Sequence, residues 1–273
     1  MTRLKQDDVV DIPSSLEEYN LELLRITGCS LREIAAHAVG LGVSQDNTQH
    51  HPKVAVIPMT CGQGVIAGFV EAVASIIRYL GFEAVVTKSQ DVGGVVEAVQ
   101  NGSEILFMAD DDCFVAVNLR TGKVSDNGEA TGKGYVAGLV HMCDGLQGKK
   151  VLVIGAGPVG TGVAAALLRL GAEVSIYDID LSAAQRLAEK FRQQGDTAII
   201  ATDLGSSLAE HSILVDACPT EKFILPQHIS AKTIIAAPGI PLGVEGSCLA
   251  QLSNRLLHDP LQIGVATMLF DVL

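Results

Sequence analysis

The segment 149–180 constrains the fold of this chain more than any other. An apolar run, KVLVI at 150–154, leads into a glycine-rich turn, GAGPVG at 155–160. Small apolar residues follow with the spacing of a helix, and a second apolar run ends in Asp178. A dinucleotide-binding fingerprint consists of three spaced glycines that follow a strand and open a helix, with an acidic residue at the end of the next strand. This segment has all of these features. The segment therefore predicts a Rossmann unit.

Each residue of the glycine turn has a physical role in this interpretation. Gly155 permits the tight turn, Gly157 lets the backbone approach a pyrophosphate, and Gly160 lets the helix pack closely on the strand. The free N–H groups at the helix N-terminus bind phosphate. Asp178 would bond the ribose hydroxyls and repel a 2′-phosphate, and no Arg directly follows it, so NAD is favoured over NADP. The alternative is a strand–helix unit that binds no cofactor.

Alternating strand and helix signals continue towards the end of the chain. Six strands are the number that a doubly wound dinucleotide-binding sheet uses. We expect strands near 150–154, 173–178, 197–200, 212–217, 232–236 and 255–258, and helices at 158–170, 181–193 and 245–254. Ligands bind beyond the carboxyl ends of such strands. The loops DACPT (216–220) and APGIP (237–241) are therefore candidates for contact with the nicotinamide, with a purely structural role for their prolines as the alternative.

The first half of the chain has the pattern of a smaller α/β domain that begins with helices. Helices are predicted at 14–26 and 30–40, opened by Ser14 and Ser30, each with a glutamate three residues later that completes a capping box. The alternation that follows is typical of a parallel sheet covered by helices. The strands are expected at 53–59, 84–87, 104–109 and 113–119, and the helices at 65–80, 91–100 and 131–145.

These patterns predict an α/β protein of two domains. A C-terminal Rossmann dinucleotide-binding domain, 147–262, is preceded by a smaller α/β substrate domain with N-terminal helices, 1–146. The apolar tail, 263–273, is expected to pack back on the first domain.

Three consecutive aspartates, Asp110–Asp112, follow the apolar strand 104–109. Adjacent carboxylates raise each other's pKa unless they are solvated or matched by cations. Three interpretations stay open: a solvated acidic turn, a site for substrate ammonium groups in which one carboxylate acts as general base, and a site for Mg²⁺ or Ca²⁺. The turn 60–64 opens a helix without a Walker lysine, and it is either an anion site or an ordinary turn.

The overall charge and the cysteines exclude several classes of protein. Lys and Arg number 19 against 31 Asp and Glu, a net charge of −12, which suits neither nucleic acid nor an anionic membrane. No apolar run reaches the ~18 residues that span a bilayer. The six cysteines form no CxxC or Cys/His cluster, so we expect no metal site, and free thiols in a reducing cytoplasm. A homodimer is expected, because symmetric dimers are the commonest soluble oligomers.

Several stretches, taken together with the Rossmann segment, resemble one family over nearly the whole chain. They are PMTCGQGVI (58–66), DVGGVVEAVQNG (91–102), MADDDCFVAVNL (108–119), APGIP (237–241) and IGVATMLFDVL (263–273). In this order they resemble the PylD family, the dehydrogenases of pyrrolysine biosynthesis.

The resemblance implies a specific reaction. The substrate would be L-lysine that carries a 3-methyl-D-ornithyl group on its ε-nitrogen. NAD⁺ would take a hydride from the carbon that bears the terminal amine, the imine would lose ammonia, and the ornithyl α-amine would close a pyrroline ring to give pyrrolysine. The two ammonium groups of the ornithyl half suit the aspartates at 110–112.

The resemblance also implies roles for individual residues. A carboxylate must take a proton from the reacting ammonium, and we expect Asp110 in this role, with Asp111 as the second candidate. Apart from the resemblance, Leu4 or its neighbours are expected on a mobile N-terminal segment that closes over the substrate, because lids exclude water from reactive imines. The expected substrate contacts are Leu4, Thr60, Gly62, Gln63, Asp110, Asp112 and Asn118. The expected cofactor contacts are Gly155, Gly157, Pro158, Val159, Gly160, Asp178, Cys218, Pro219, Thr220, Pro238, Gly239 and Ile240.

Two rival interpretations remain at this point. One is another two-domain NAD(P) dehydrogenase that acts on a small cationic metabolite and resembles shikimate or methylene-tetrahydrofolate dehydrogenases. Those enzymes usually need a Lys–Asp pair or a basic pocket, and no lysine lies in the 60–64 or 108–112 turns. The other is a non-catalytic module that senses NAD.

Overall fold

A computed structural model describes residues 4–42 and 51–273, which form two α/β units joined by a helix. The elements of the first unit are α1 (Gln6–Val9), α2 (Ile12–Thr27), α3 (Leu31–Ala38), β1 (Val54–Ile57), α4 (Phe69–Tyr79), β2 (Ala84–Val86), α5 (Asp91–Gln100), β3 (Ile105–Ala109), β4 (Phe114–Asn118) and β5 (Val124–Asp126). The joining helix is α6 (Asn127–Met142).

The elements of the second unit continue the numbering. They are β6 (Lys150–Ile154), α7 (Pro158–Arg169), β7 (Glu173–Tyr177), α8 (Leu181–Gln193), β8 (Ile199–Ile200), α9 (Leu204–Glu210), β9 (Ile213–Asp216), β10 (Ile234–Ala237) and β11 (Leu256–His258). The chain ends in α10 (Gln262–Val272).

The second sheet has the strand order β11-β10-β9-β6-β7-β8, and all of its strands are parallel. This is the order of a doubly wound dinucleotide-binding fold, so the predicted Rossmann unit is confirmed. The strand order reverses between β6 and β9, and ligands of such sheets bind at that crevice. The predicted helix at 245–254 is wrong, since only a 3₁₀ turn forms there, at Gly246–Cys248.

The first sheet has the order β2-β1-β3-β4-β5 and is only partly parallel. Strands β1, β2 and β3 run parallel, whereas β4 and β5 run antiparallel to their neighbours. The expectation of a parallel sheet is therefore confirmed for β1, β2 and β3 and wrong for β4 and β5. The antiparallel pairing of β3 and β4 follows from the short connection 110–113 between them, because only an antiparallel pair can be joined by so few residues.

Of the two capping boxes predicted at helix N-termini of the first unit, the structure contains one. Ser30 accepts from the N–H of Glu33 at 3.3 Å, and Glu33 accepts from the N–H of Ser30 at 2.7 Å, so this predicted capping box is confirmed. The box predicted at Ser14 is wrong. Helix α2 already begins at Ile12, and the Ser14 hydroxyl donates to the carbonyl of Asp11 inside the first turn.

Helix α10 returns from the second unit and packs on the first. The Asn118 side chain donates to the carbonyl of Val272 at 2.8 Å, and the Ser125 hydroxyl donates to Asp271 at 2.9 Å. One continuous cluster of buried apolar side chains includes β1, β3, α6, β6 and α10. The two units therefore share a core, and the domain limits at 146 and 262 stay predictions.

Among the described helices, none combines the length and the apolar character that crossing a membrane requires. The expected homodimer and the expected cytoplasmic location stay predictions.

Candidate active site

A cavity of about 210 Å³ lies where the carboxyl ends of the parallel strands of both sheets face each other. Its walls come from the ends of β1 and β3, the segment 63–66, the first half of α6, the loops after β9 and β10, and the segment 259–264. The cavity therefore lies at the strand ends where the fold places ligands.

The glycine turn at the start of α7 has the geometry that a dinucleotide requires. Gly155 has a φ of 106°, and a Cβ there would lie 2.8 Å from the carbonyl oxygen of Ala217. A Cβ on Gly160 would overlap the carbonyl of Gly155, whereas the space next to Gly157 is open. Pro158 opens α7, where its missing N–H leaves no intrahelical bond unmade. Gly155 and Gly160 thus have the turn and packing roles expected of them, whereas the approach of a pyrophosphate to Gly157 stays a prediction.

Asp178 stands at the end of β7 beside this turn. Its Oδ2 accepts from the N–H of Ala156 at 2.7 Å, and its Oδ1 accepts from the N–H of Asp180 at 2.8 Å. The carboxylate is thus fixed next to the glycine turn, where the fingerprint puts the ribose of the adenosine half.

The loops after β9 and β10 both reach the cavity. The predicted cofactor contacts Val159, Cys218, Pro238, Gly239 and Ile240 all line it. Pro219 and Thr220 are exposed and lie outside the lining residues. Four of the predicted nicotinamide-side contacts therefore line the same cavity.

Asp110 shapes the hairpin between β3 and β4. Its Oδ1 accepts from the N–H groups of Asp112 at 2.9 Å and Cys113 at 2.7 Å. These backbone hydrogen bonds lower the pKa of Asp110 below its usual value. The expectation that its neighbours would raise this pKa is therefore wrong, because the hairpin backbone stabilises the charged form. The role of Asp110 as general base stays a prediction.

Asp111 joins the hairpin to the turn 61–64. Its Oδ2 accepts from the N–H of Gln63 at 2.8 Å. Gly62 has a φ of 68°, and a side chain there would overlap the Asp111 carboxylate. Leu4, Gln63, Asp110 and Asp111 line the cavity.

Four of the predicted substrate contacts, Thr60, Gly62, Asp112 and Asn118, do not line the cavity. The hydroxyl of Thr60 donates to Asp91 at 2.5 Å, and Asp112 is exposed at the hairpin tip. Asn118 lies at the far end of β4, where its Oδ1 accepts from the N–H groups of Arg120 and Thr121. The antiparallel direction of β4 carries Asn118 away from the site, so the prediction of Asn118 as a substrate contact is wrong.

Sequence reasoning missed a buried carboxyl group in the cavity wall. Asp259 follows β11, is 4% exposed, and accepts from the hydroxyl of Tyr19 at 2.7 Å and that of Tyr135 at 3.1 Å. Burial raises the pKa of Asp259, and the hydrogen bonds from Tyr19, Ile263 and Tyr135 offset only part of this effect. The rule that ligands bind beyond strand ends applies equally to β11 and could have singled out this residue.

The cavity lining combines acidic groups with an apolar wall. Within the described part of the chain, the residues that line it include the three carboxyl groups of Asp110, Asp111 and Asp259 and no Lys, Arg or His. The rings of Phe69 and Phe114 pack edge to face at 5.3 Å on another side. Such a site favours a cationic ligand with an alkyl chain over an anionic one.

The described residues contain no group of three or more His, Cys, Asp or Glu side chains that could hold a metal ion. The interpretation of Asp110–Asp112 as a site for Mg²⁺ or Ca²⁺ therefore has no set of metal ligands in 4–42 and 51–273.

The sheet order, the glycine turn and the cavity between the two units define an NAD(P)-dependent dehydrogenase of the α/β class. Residues 8–125 match the profile described as pyrrolysine biosynthesis protein PylD, N-terminal domain, and residues 139–237 match shikimate/quinate 5-dehydrogenase. A pyrrolysine synthase from Methanosarcina acetivorans is 33% identical over 279 residues, which cover all of both chains. The chain belongs to the PylD family of pyrrolysine biosynthesis proteins, which confirms the resemblance.

Solved structures support the fold independently of these sequences. The chain is similar to a quinate dehydrogenase from Corynebacterium glutamicum in complex with NAD, with a TM-score of 0.53 at 17% identity over 81% of this chain and 93% of that one. It is equally similar to a shikimate dehydrogenase from Thermus thermophilus in complex with NADP(H) and shikimate, with a TM-score of 0.53 at 17% identity over 81% and 94%. Because both dinucleotides occur on this fold, the choice between them depends on local residues.

Proposed function

We propose that the protein oxidises the terminal amine of L-lysine-Nε-(3-methyl-D-ornithine) with NAD⁺ and gives L-pyrrolysine after ammonia loss and ring closure. The observation that carries this proposal is the acidic lining of the cavity, which lacks Lys, Arg and His among its described residues. Full-length similarity to a pyrrolysine synthase supports the same substrate. A shikimate-like substrate carries a carboxylate, and these three acidic side chains would repel it.

The two aspartates of the β3–β4 hairpin are suited to holding the ammonium groups of the ornithyl half. Asp110 stays anionic because its backbone hydrogen bonds lower its pKa, and Asp111 is fixed by the N–H of Gln63. A carboxylate that is already oriented binds an ammonium group with charge-assisted hydrogen bonds and loses little freedom on binding. The phenylalanine wall gives the alkyl part of the substrate an apolar surface.

Proton removal is better assigned to Asp259 than to Asp110. The amine must be neutral before a hydride leaves its carbon, because an ammonium group has no lone pair to stabilise the forming iminium. A carboxylate with a raised pKa is a stronger base than one with a lowered pKa, and Asp259 has the raised one. The hydroxyls of Tyr19 and Tyr135 hold Asp259 in place at the cavity wall.

The atoms of the proposed reaction balance without a further reagent. When bound, NAD⁺ supplies the hydride acceptor for the amine carbon, and Asp259 receives the proton from the ammonium. Water adds to the resulting iminium and ammonium leaves. The ornithyl α-amine gives its own proton to water, attacks the same carbon and releases one water molecule as the pyrroline forms. Leu4 from the N-terminal segment forms part of the cavity wall.

The preference for NAD⁺ over NADP⁺ belongs to the same proposal and depends on Asp178. Its carboxylate is fixed beside the glycine turn by the N–H of Ala156. A 2′-phosphate in this position would meet a negative charge, whereas two ribose hydroxyls would meet an acceptor.

The test is NADH absorbance after mixing the purified protein with NAD⁺ and synthetic lysine-Nε-D-ornithine, with and without the 3-methyl group, followed by mass analysis. We expect NADH and a product with the mass of a pyrroline-containing amino acid. NAD⁺ binding without turnover of either compound would contradict the substrate and favour a different cationic metabolite or a sensing module. Turnover of shikimate or quinate would favour the rival dehydrogenase.

A further inference from the structure

Asp216 is a fully buried carboxylate between the two loops that line the nicotinamide side of the cavity. One carboxylate oxygen, Oδ1, accepts from the N–H of Cys218 at 3.3 Å and from its thiol at 3.2 Å. The other, Oδ2, accepts from the N–H of Gly243 at 3.0 Å. Asp216 itself is absent from the cavity lining, so it acts on the cavity through other residues.

The main chain of Asp216 connects the same two loops. Its carbonyl oxygen accepts from the N–H of Gly239 at 2.8 Å, and the next residue, Ala217, donates to Ile154 at 2.8 Å. A Cβ on Gly239 would overlap the carbonyl of Cys218. The loops after β9 and β10 are thus in direct backbone contact, with Asp216 at the junction.

Gly243 shows how closely the second loop approaches this carboxylate. A side chain at this position would overlap both the Asp216 carboxylate and the ring of Phe223. The backbone N–H of Gly243 therefore reaches Asp216 only because no Cβ intervenes. An amide in place of the carboxylate would turn an NH₂ group towards one of these N–H donors and leave it unpaired.

We propose that Asp216 is a positioning residue that fixes the loops of Cys218 and of Pro238–Ile240 in the geometry that receives the nicotinamide half of the dinucleotide. The inference rests on the proposed dinucleotide oxidation and deepens it. Asp216 touches neither substrate nor cofactor. Its effect passes through the loop backbones, so it concerns the nicotinamide half and leaves the adenosine half at Asp178 unaffected.

The charged and titratable groups around Asp216 are few. The Cys218 thiol bonds it directly, and His258, at the end of β11, is the nearby cationic group that favours its charged form. The Nδ1 of His258 lies 2.7 Å from the carbonyl oxygen of Ala237, just before the second loop. Burial raises the pKa of Asp216 to about 6, so the carboxylate form is present at neutral pH.

The test compares two ligands that share the adenosine half. Binding of NADH and of ADP-ribose is measured by calorimetry for the full-length wild type and for Asp216→Asn. We expect the NADH affinity of the variant to fall about tenfold or more, the effect of leaving a buried donor unpaired, while the ADP-ribose affinity changes less than about twofold. The NADH affinity of the wild type should also fall on acidification through about pH 6, and that of the variant should not.

A matched control is Glu189→Gln, the same carboxylate-to-amide change on the exposed face of α8, where Glu189 pairs with Arg192. It should change neither the NADH affinity nor the ADP-ribose affinity.

Equal losses of NADH and ADP-ribose affinity in Asp216→Asn, or no loss of either, would overturn the positioning role. If Asp216→Asn does not fold, Cys218→Ala removes the thiol donor to Asp216 together with one side chain of the cavity lining. It should lower the affinity for NADH and spare that for ADP-ribose, and an unchanged NADH affinity there would overturn the positioning role as well. A wild type that binds neither ligand would instead overturn the dinucleotide assignment.

Discussion

At the residue scale, the proposed preference for NAD⁺ over NADP⁺ depends on one carboxylate, that of Asp178. Replacing Asp178 by Ser keeps an acceptor for the N–H of Ala156 and removes the charge that repels a 2′-phosphate. We expect Asp178→Ser to lower kcat/KM for NAD⁺ and to raise it for NADP⁺, with a combined change in preference of about 100-fold. Steady-state kinetics with both dinucleotides would measure this.

Asp180 offers a control for that measurement because it lies on the same loop. It caps α8 by accepting from the N–H of Ser182 at 3.0 Å and is exposed. Asp180→Asn should leave the preference unchanged. If Asp178→Ser retained the wild-type preference, the discrimination would have to come from another residue.

The role of Asp259 predicts a loss of turnover without a loss of cofactor binding. Asn at this position still accepts from Tyr19 and Tyr135 but cannot take a proton, so kcat should fall by about 100-fold or more. Because the base must be ionised, wild-type kcat should rise with pH through the raised pKa of Asp259, and the residual activity of Asp259→Asn should not follow that rise. A kcat within twofold of the wild type would assign the proton to another group.

The buried Asp216 also predicts how stability depends on pH. A carboxyl whose pKa is raised on folding, from 3.8 to about 6, stabilises the folded protein below pH 3.8, and this contribution is lost as the pH rises through about 6. The shift corresponds to about 3 kcal/mol. The free energy of unfolding of the wild type, relative to Asp216→Asn, should therefore fall by about this amount between about pH 4 and pH 8. Urea titrations at several pH values measure it, and a pH-independent difference would contradict it.

The site residues differ in how far the sequence could predict them. The glycines at 155, 157 and 160 and Asp178 belong to one short segment whose spacing alone fixes their geometry. Asp259 meets Tyr19 across 240 positions of sequence, and no local pattern brings these two residues together. The placement of Asn118 depended on the direction of β4, and the lowered pKa of Asp110 depends on hairpin hydrogen bonds that periodicity does not reveal.

At the scale of elements, the contact between α6 and α7 joins the two units most closely. A Cβ on Gly132 of α6 would overlap backbone atoms of Gly162 and Val163 in α7. Backbone cannot move aside as a flexible side chain can, so the two helices would have to separate. We expect Gly132→Ala to lower the free energy of unfolding by about 1–3 kcal/mol, measured by chemical denaturation.

Gly246 serves as the control for this substitution. It begins a 3₁₀ turn, and no atom lies within 4 Å of a Cβ built on it. Gly246→Ala should change the free energy of unfolding by less than about 0.5 kcal/mol. Equal effects of the two substitutions would show that the α6–α7 approach does not limit stability.

The elements themselves were largely predictable because their hydrophobic periodicity is local. Strands β6, β7 and β9 and helices α5, α7 and α8 lie within one or two residues of the predicted ranges. Helix α4 begins only at Phe69, since Gly68 adopts a positive φ angle within the predicted helix 65–80. Strand β5 has three residues, too few for an alternating pattern to be recognised.

At the scale of the whole molecule, the shared core makes the two units depend on each other. The cluster of buried apolar side chains runs without interruption from Val9 in α1 through Tyr135 in α6 to Val272 in α10 and includes β6 and β7. Neither unit can unfold alone without exposing part of this core to water. The active site lies between the units, so the same packing that stabilises the chain also fixes the distance from the acidic hairpin to the nicotinamide loops.

This coupling predicts one thermal transition for both units. The chain has no Trp, so calorimetry is the suitable method. We expect the calorimetric and van't Hoff enthalpies of unfolding to agree, and Gly132→Ala to move the whole transition to lower temperature. We propose that NADH binds to the second unit, and if the units are coupled NADH should raise the midpoint of the entire transition. Two resolved transitions, of which NADH moved only one, would show that the units fold separately and that the α6–α7 contact is a hinge.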